Sequence, residues 1–432
     1  MLETLRNAWK VPEIRKKLLY TMLIIVIYRL GGYVPVPFLD ASVISEMISG
    51  SNNIFAYLNT LSGGTFGRAT LLCLSISPYI NAQIIIQLLT FAIPALERLA
   101  KEGEAGRATI NKITKWTTLG IAIFQSIAYF LTLRNQGALS YTTGLSMVLS
   151  AVVIVSCFTA GAMLVIWLGS LIDKKGIGNG ISMLLFAGII AEIPSSFGAT
   201  FSVLAKSGEP VKIALIPIIV VIFVLMIAFI IFMDNAERRL PVQYAKRVVG
   251  RKMYGGQSSY LPIKIAMAGV LPIIFAMSFL SIPQTIQMFM SQETQQKPFW
   301  AGLFRVFSYT HPVYATIYFI LIILFSYFYV SIQYNPVEIA NNLRQNNGGV
   351  PGIRPGQPTA DYITRILSKL ILVGALFLGV VAIFPIIFAQ ITGVGNLALG
   401  GTSILIVVSV ALETVRQLES QMMMRHHKGF LE

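Results

Sequence analysis

Apolar residues run through this chain in long blocks, separated by shorter polar stretches, with few charges inside the blocks. Ten blocks read as membrane-crossing helices: about 18–36, 71–94, 116–133, 147–172, 181–205, 211–233, 263–283, 312–332, 366–390 and 402–424. At ~1.5 Å per residue, each is long enough for the roughly 30 Å hydrocarbon layer. The stretch 54–94 departs from the pattern. Ile54, Phe55, Leu58 and Leu61 share one helical face, but Asn52, Asn53, Asn59 and Thr60 interrupt it. Gly63 and Gly64 then break the helix just before the second span. A helix this short and polar-flanked cannot face lipid alone, because its broken ends would leave backbone groups unpaired in hydrocarbon. It lies at the interface, or inside protein beside a water-filled cavity. In the second position it would be a stopper in a pore.

Charge sharpens this picture. The 432 residues are 55% apolar and 12% charged, against about 25% charged in soluble domains. With the N-terminus cytoplasmic, the inside segments hold 26 of the 33 Lys and Arg, the outside loops hold 6, and Arg29 lies near the outer end of the first span. That asymmetry sets the orientation and supports an even number of spans, so both termini are expected in the cytoplasm. Most of the +15 formal net charge then lies on one face. The first seventeen residues lack a cleavable-signal pattern, so the first span is expected to stay. Ten spans divide into two sets of five, 1–205 and 206–432, and sets with an odd number of spans can be structural repeats only if inverted.

Three long connections fall on the basic face. The second of them, 234–264, carries seven Lys or Arg. Lys246, Arg247, Arg251 and Lys252 are set among Val242, Tyr244, Val248 and Val249 and followed by Gly255 and Gly256, a pattern that predicts a projecting hairpin. This exceeds what topology needs and points to docking of acidic lipid, nucleic acid or an acidic protein. In 333–365, Pro351-Gly352 and Pro355-Gly356 bracket Arg354, presenting it on a rigid tip.

Chemistry is otherwise sparse. GIGNGIS, 176–182, lacks the Lys-Ser or Lys-Thr of a phosphate loop and reads as a helix-to-helix turn capped by Asn179 and Ser182. No ionisable residue is expected near the middle of a span; Arg29 and Glu413 lie toward ends. Neither a catalytic set nor a metal-ligand cluster is present, and His311, His426 and His427 lie outside the spans. Cys73 and Cys157 read as packing residues. A membrane enzyme is therefore disfavoured, and no cofactor is expected. A conducting path would have to narrow at apolar side chains. Ile80 and Ile84 share a face, as do Ile181 and Leu185, although such pairs occur in every membrane helix.

The chain resembles the bacterial SecY family along essentially its whole length. The matching segments are FAYLNTLSGG, SPYINAQIIIQLL, KEGEAGRATI, GIGNGIS, ERRLPVQYAKRVVGRKMYGGQSSYLPIKI, AGVLPIIFA, NPVEIANNL, PGIRPG and GGTSILIVV. The resemblance implies an all-α polytopic fold of ten transmembrane helices, in two inverted five-helix halves around an hourglass pore. It implies a protein-conducting channel of the cytoplasmic membrane that passes unfolded secretory polypeptides and releases apolar helices sideways. The implied pore ring is Ile80, Ile84, Ile181, Leu185, Ile274 and Ile406. The implied plug is 54–66, with Ile54, Phe55, Leu58, Leu61, Gly63, Gly64 and Phe66. Helices 2 and 3 would meet helices 7 and 8 at a lateral gate. The basic loops, with Lys246, Arg247, Arg251, Lys252 and Arg354, would dock the ribosome or the motor ATPase SecA. Small subunits resembling SecE and SecG, signal peptides and lipid complete the implied partners. A secondary transporter of a small solute is the alternative.

Overall fold

The structure, a computed structural model, describes residues 6, 8–40, 42–44, 59, 63–141, 144–206, 210–244, 247–249, 252–254, 258–290, 294, 297–308, 311–392 and 401–426. Its helices in chain order are α1 (Pro12–Gly31), α2 (Ser77–Ala92), α3 (Pro94–Lys101), α4 (Glu104–Asn135), α5 (Gly144–Lys175), α6 (Gly180–Lys206), α7 (Pro210–Asn235), α8 (Leu271–Leu280), α9 (Ile282–Phe289), α10 (Pro298–Val306), α11 (Pro312–Gln333), α12 (Pro336–Gln345), α13 (Gln357–Thr392) and α14 (Gly401–His426). Among the described residues, seven helices are long and apolar enough to cross a membrane, and eight if the bent pair α2–α3 counts as one.

Each apolar block falls on a helix, but two do not form the continuous helices expected. Residues 71–76 run in turns before α2 begins, and residues 265–270 do the same before α8. In both, proline is the second helical residue, Pro78 and Pro272, a position where the missing N–H costs nothing. Backbone at this depth must be paired inside the protein. Leu71 N donates to Val34 O, Ser75 N to Leu72 O, and Thr65 Oγ1 to Leu72 O. Leu72 and Ile76 are fully buried. The α2–α3 pair bends by 100° at Ile93-Pro94. The basic connection after the second span is largely helical rather than loop, since only Glu102 and Gly103 separate α3 from α4.

The expected hairpin is present. β1 (Glu237–Tyr244) pairs antiparallel with β4 (Ser258–Lys264), from Glu237–Lys264 to Gln243–Ser258. At its tip β2 (Arg247–Val249) pairs with β3 (Lys252–Tyr254). A pairing not foreseen adds β5 (Gly348–Gly349), from the next long connection, to the edge of β1 at Gln243 and Tyr244. The two basic connections therefore form one unit with strand order β4-β1-β5. Leu240 and Val242, on one face of β1, are buried, and Leu240 packs with Ala340, Ala360 and Ile363 beneath the sheet.

Three of the apolar cores among the described residues matter for the site. One joins α4 and α5 to residues 36–44 and 66–74. A second joins α7, α8, α11, α13 and α14. The third lies between them and takes residues from α1, 71–80, α5, α6 and α14.

Candidate functional site: a central apolar constriction and its stopper

The third core gathers most of the expected ring. Leu185 and Ile406 are buried in it, and Ile80 and Ile181 pack against it. Ile84 is buried and Ile274 half-buried, but neither belongs to this cluster. The helix geometry explains which residues meet. Ile181 and Leu185 stand one turn apart on α6, facing the stretch 71–80 and Ile406 of α14. Val270 and Val407, which the sequence did not single out, pack there too.

Of the expected stopper, Ile54, Phe55, Leu58 and Leu61 lie outside the described residues. Its C-terminal turn is described. Gly63 and Gly64 have φ of +69° and +81°, which L side chains rarely adopt. Gly64 N donates to Asn59 O and Gly67 N to Asn59 Oδ1, each at 2.8 Å. Phe66 is buried and tilted against Tyr129 of α4, ring centroids 4.6 Å apart. Arg29 Nη1, in the last turn of α1, donates to Gly63 O at 3.2 Å.

One expectation about charge is corrected. Glu192 lies midway along α6 and Glu413 midway along α14, so neither is at the end of its span, the place expected of Glu413. The sequence signal for Glu192 is a single acid inside 181–205, set among apolar neighbours.

At the side of the molecule, Phe91 at the end of α2 meets Phe328 of α11 edge-on at 5.7 Å. Nearby, α9 packs against α4. On the basic end, Arg247 and Lys252 lie on the tip strands β2 and β3, while Lys246 and Arg251 fall outside the described residues. Arg354 is exposed between two turns with Gly352 at φ +79° and Gly356 at φ +105°. Thr359 Oγ1 donates to Arg354 O at 2.9 Å and braces that tip. In the 176–182 turn, Ser182 N donates to Asn179 Oδ1 as expected of a cap. Asp173 adds a second cap, accepting from Gly180 N at 2.7 Å.

The SecY family model matches residues 70–415. A protein translocase subunit SecY from Streptomyces coelicolor is 42% identical over 444 residues, covering both chains completely. Among solved structures, one of a SecY protein, whose plug domain stabilises the closed state of the translocation channel, has a TM-score of 0.62 at 19% identity and covers 96% of each chain. Sec61 in the canine ribosome–channel complex from the endoplasmic reticulum has a TM-score of 0.60 at 20% identity, with the same coverage.

Proposed function

The chain belongs to the SecY family, and on that premise we propose that it is the protein-conducting channel of a translocase in a bacterial cytoplasmic membrane. Unfolded secretory polypeptides pass through its centre, and apolar segments leave sideways into lipid. The observation that carries the reading is the central apolar cluster, where Ile80, Ile181, Leu185 and Ile406 meet. With Ile84 and Ile274 they would form the ring. An aliphatic constriction sheds water, so ions leak little. It offers no fixed charge or hydrogen-bonding group to a polypeptide, so it can close around any extended sequence without holding it.

The halves are 1–205 and 206–432, hinged near the α6–α7 connection. Support comes from two cores that each draw on one half. It also comes from the matching anatomy of α2 and α8, each entered through buried turns and a proline and each followed by an Ile-Pro break. The lateral gate lies where α2 and α4 of one half meet α9 and α11 of the other, closed by Phe91 against Phe328. Parting there lets a segment of about twenty apolar residues enter lipid, which is favourable because its apolar area leaves water. Segment 54–66 is the plug in this reading, and its described turn, 63–66, meets α1, α4 and α6.

The 26-to-6 split of Lys and Arg supports a cytoplasmic position for the sheet β4-β1-β5 and for both termini. Arg247, Lys252, Lys246, Arg251 and Arg354 then form a docking surface for a motor ATPase resembling SecA or for the ribosome. Small membrane subunits resembling SecE and SecG would complete the assembly. The chain supplies no nucleotide site in this reading, so the partner provides the energy. Proteoliposomes holding the complex should protect a secretory polypeptide from protease when the motor and ATP are added. Flux of a small solute without any polypeptide transport would favour the transporter reading instead.

A further inference from the structure

Glu192 is a carboxylate placed midway along an apolar helix, where charge is retained only with a partner. Its surroundings are specific. A β-carbon on Gly64 would stand 2.7 Å from Glu192 Oε2 and 3.9 Å from Arg68 Nη2, so the acid and the base flank the same glycine. A β-carbon on Gly63 would stand 2.5 Å from Arg29 Nη1 and 2.8 Å from Gly188 Cα. Gly188 and Glu192 are one turn apart and share a face of α6. The 63–64 turn is thus held between α1 and α6, with backbone against backbone at Gly63 and a carboxylate against the turn at Gly64. Arg68 is itself steadied, its guanidinium 4.9 Å from the Tyr33 ring centroid. The free carbonyls at the C-terminal end of α1 favour a cation at Arg29.

We infer that Arg29 and Glu192 are positioning residues that clasp the 63–64 turn onto α6, with Arg68 balancing the carboxylate, and that opening of the channel requires this clasp to release. The inference rests on the plug reading and adds to it the seat and the groups that hold it. Arg29 acts through a hydrogen bond to the Gly63 carbonyl. Glu192 acts by filling the space beside Gly64 and drawing Arg68 over the turn. The two hold adjacent residues of one element, Gly63 and Gly64, so losing either frees the same turn.

The test uses the purified complex in planar bilayers, with no polypeptide or motor present, and compares the parent with Arg29→Gln, Glu192→Gln and the double variant. Each single substitution should raise idle ion conductance about tenfold, as expected for loss of one charge-assisted hydrogen bond or its equivalent. The double variant should be no leakier than the worse single. Conductance within twofold of the parent for both singles, or effects that multiply in the double, overturns the clasp. Arg29→Lys keeps the charge and should restore most of the seal. If Glu192→Gln does not assemble, Gly64→Ala strikes the same contact from the other side and should leak alike. A parent complex that translocates polypeptide while its variants stay sealed refutes the clasp alone, whereas a parent that translocates nothing refutes the channel reading.

Discussion

Replacing Ile406 by Asn puts a polar group at the proposed narrowest point. Ile406 is 3% exposed and packs with Leu185, Leu72 and Ile76. Removing that burial costs about 1.5–3 kcal/mol. A buried, unpartnered amide adds about 1–3 kcal/mol. The helices can relieve the second cost by admitting water, because the cluster joins α14 to helices far from it in the chain. Hydrating the amide then lowers the barrier to ion passage by a similar amount, about 1–3 kcal/mol, or roughly 5- to 150-fold in conductance. Planar-bilayer recordings of the purified complex, without motor or polypeptide, give the number directly. Ile406→Val keeps the site apolar and should remain near parental conductance. A folded Ile406→Asn complex that conducts no more than Ile406→Val would refute the claim that apolar packing at this cluster makes the seal.

Four further variants test other links. Arg354→Glu should abolish most motor-driven translocation and leave thermal stability unchanged, since the residue is exposed on a braced tip; normal transport would remove it from the docking surface. Cysteines at Phe91 and Phe328, joined by a short bis-maleimide, should block both secretion and sideways release, because those rings touch across the proposed gate; full export of the joined protein would rule out opening there. Arg416→Ala should lower stability by about 1–2 kcal/mol in thermal unfolding, because Arg416 bonds Asp234 at 3.0 Å and Asn235 Oδ1 at 2.8 Å, tying α14 to the end of α7. Gly161→Ala should destabilise by about 2–3 kcal/mol or more, since its β-carbon would stand only 1.8 Å from Leu71 O; a parental melting temperature would contradict that close approach.

Much of this architecture was legible in the sequence because membrane spans are long and charge sorts the connections between them. The places where the reading failed have physical reasons. Residues 71–76 and 265–270 are as apolar as the helices they precede, so composition does not separate buried turns from helix. Their irregularity shows only in tertiary hydrogen bonds such as Leu71 N to Val34 O. The addition of Gly348 and Gly349 to β1 is a long-range pairing, and two glycines carry no strand signal of their own. Conversely, the basic hairpin and the braced Arg354 were visible because turn residues and alternation act locally. Of the proposed ring, Ile80, Ile181, Leu185 and Ile406 share one cluster in this structure, while Ile84 and Ile274 lie outside it. Helical spacing can pair Ile80 with Ile84, but only the packing of separate helices decides which of them meets α6 and α14. Glu192 escapes a reading that treats 181–205 as uniformly apolar, although its carboxylate stands beside the 63–64 turn.

The central claim is that this chain conducts polypeptide. Its most direct test is translocation of a purified secretory polypeptide into proteoliposomes containing the chain with the proposed small membrane subunits, read by protease protection after adding motor and ATP. The account predicts protected full-length polypeptide that disappears when ATP is withheld. Vesicles that hold a folded, motor-binding complex yet protect no polypeptide would contradict it.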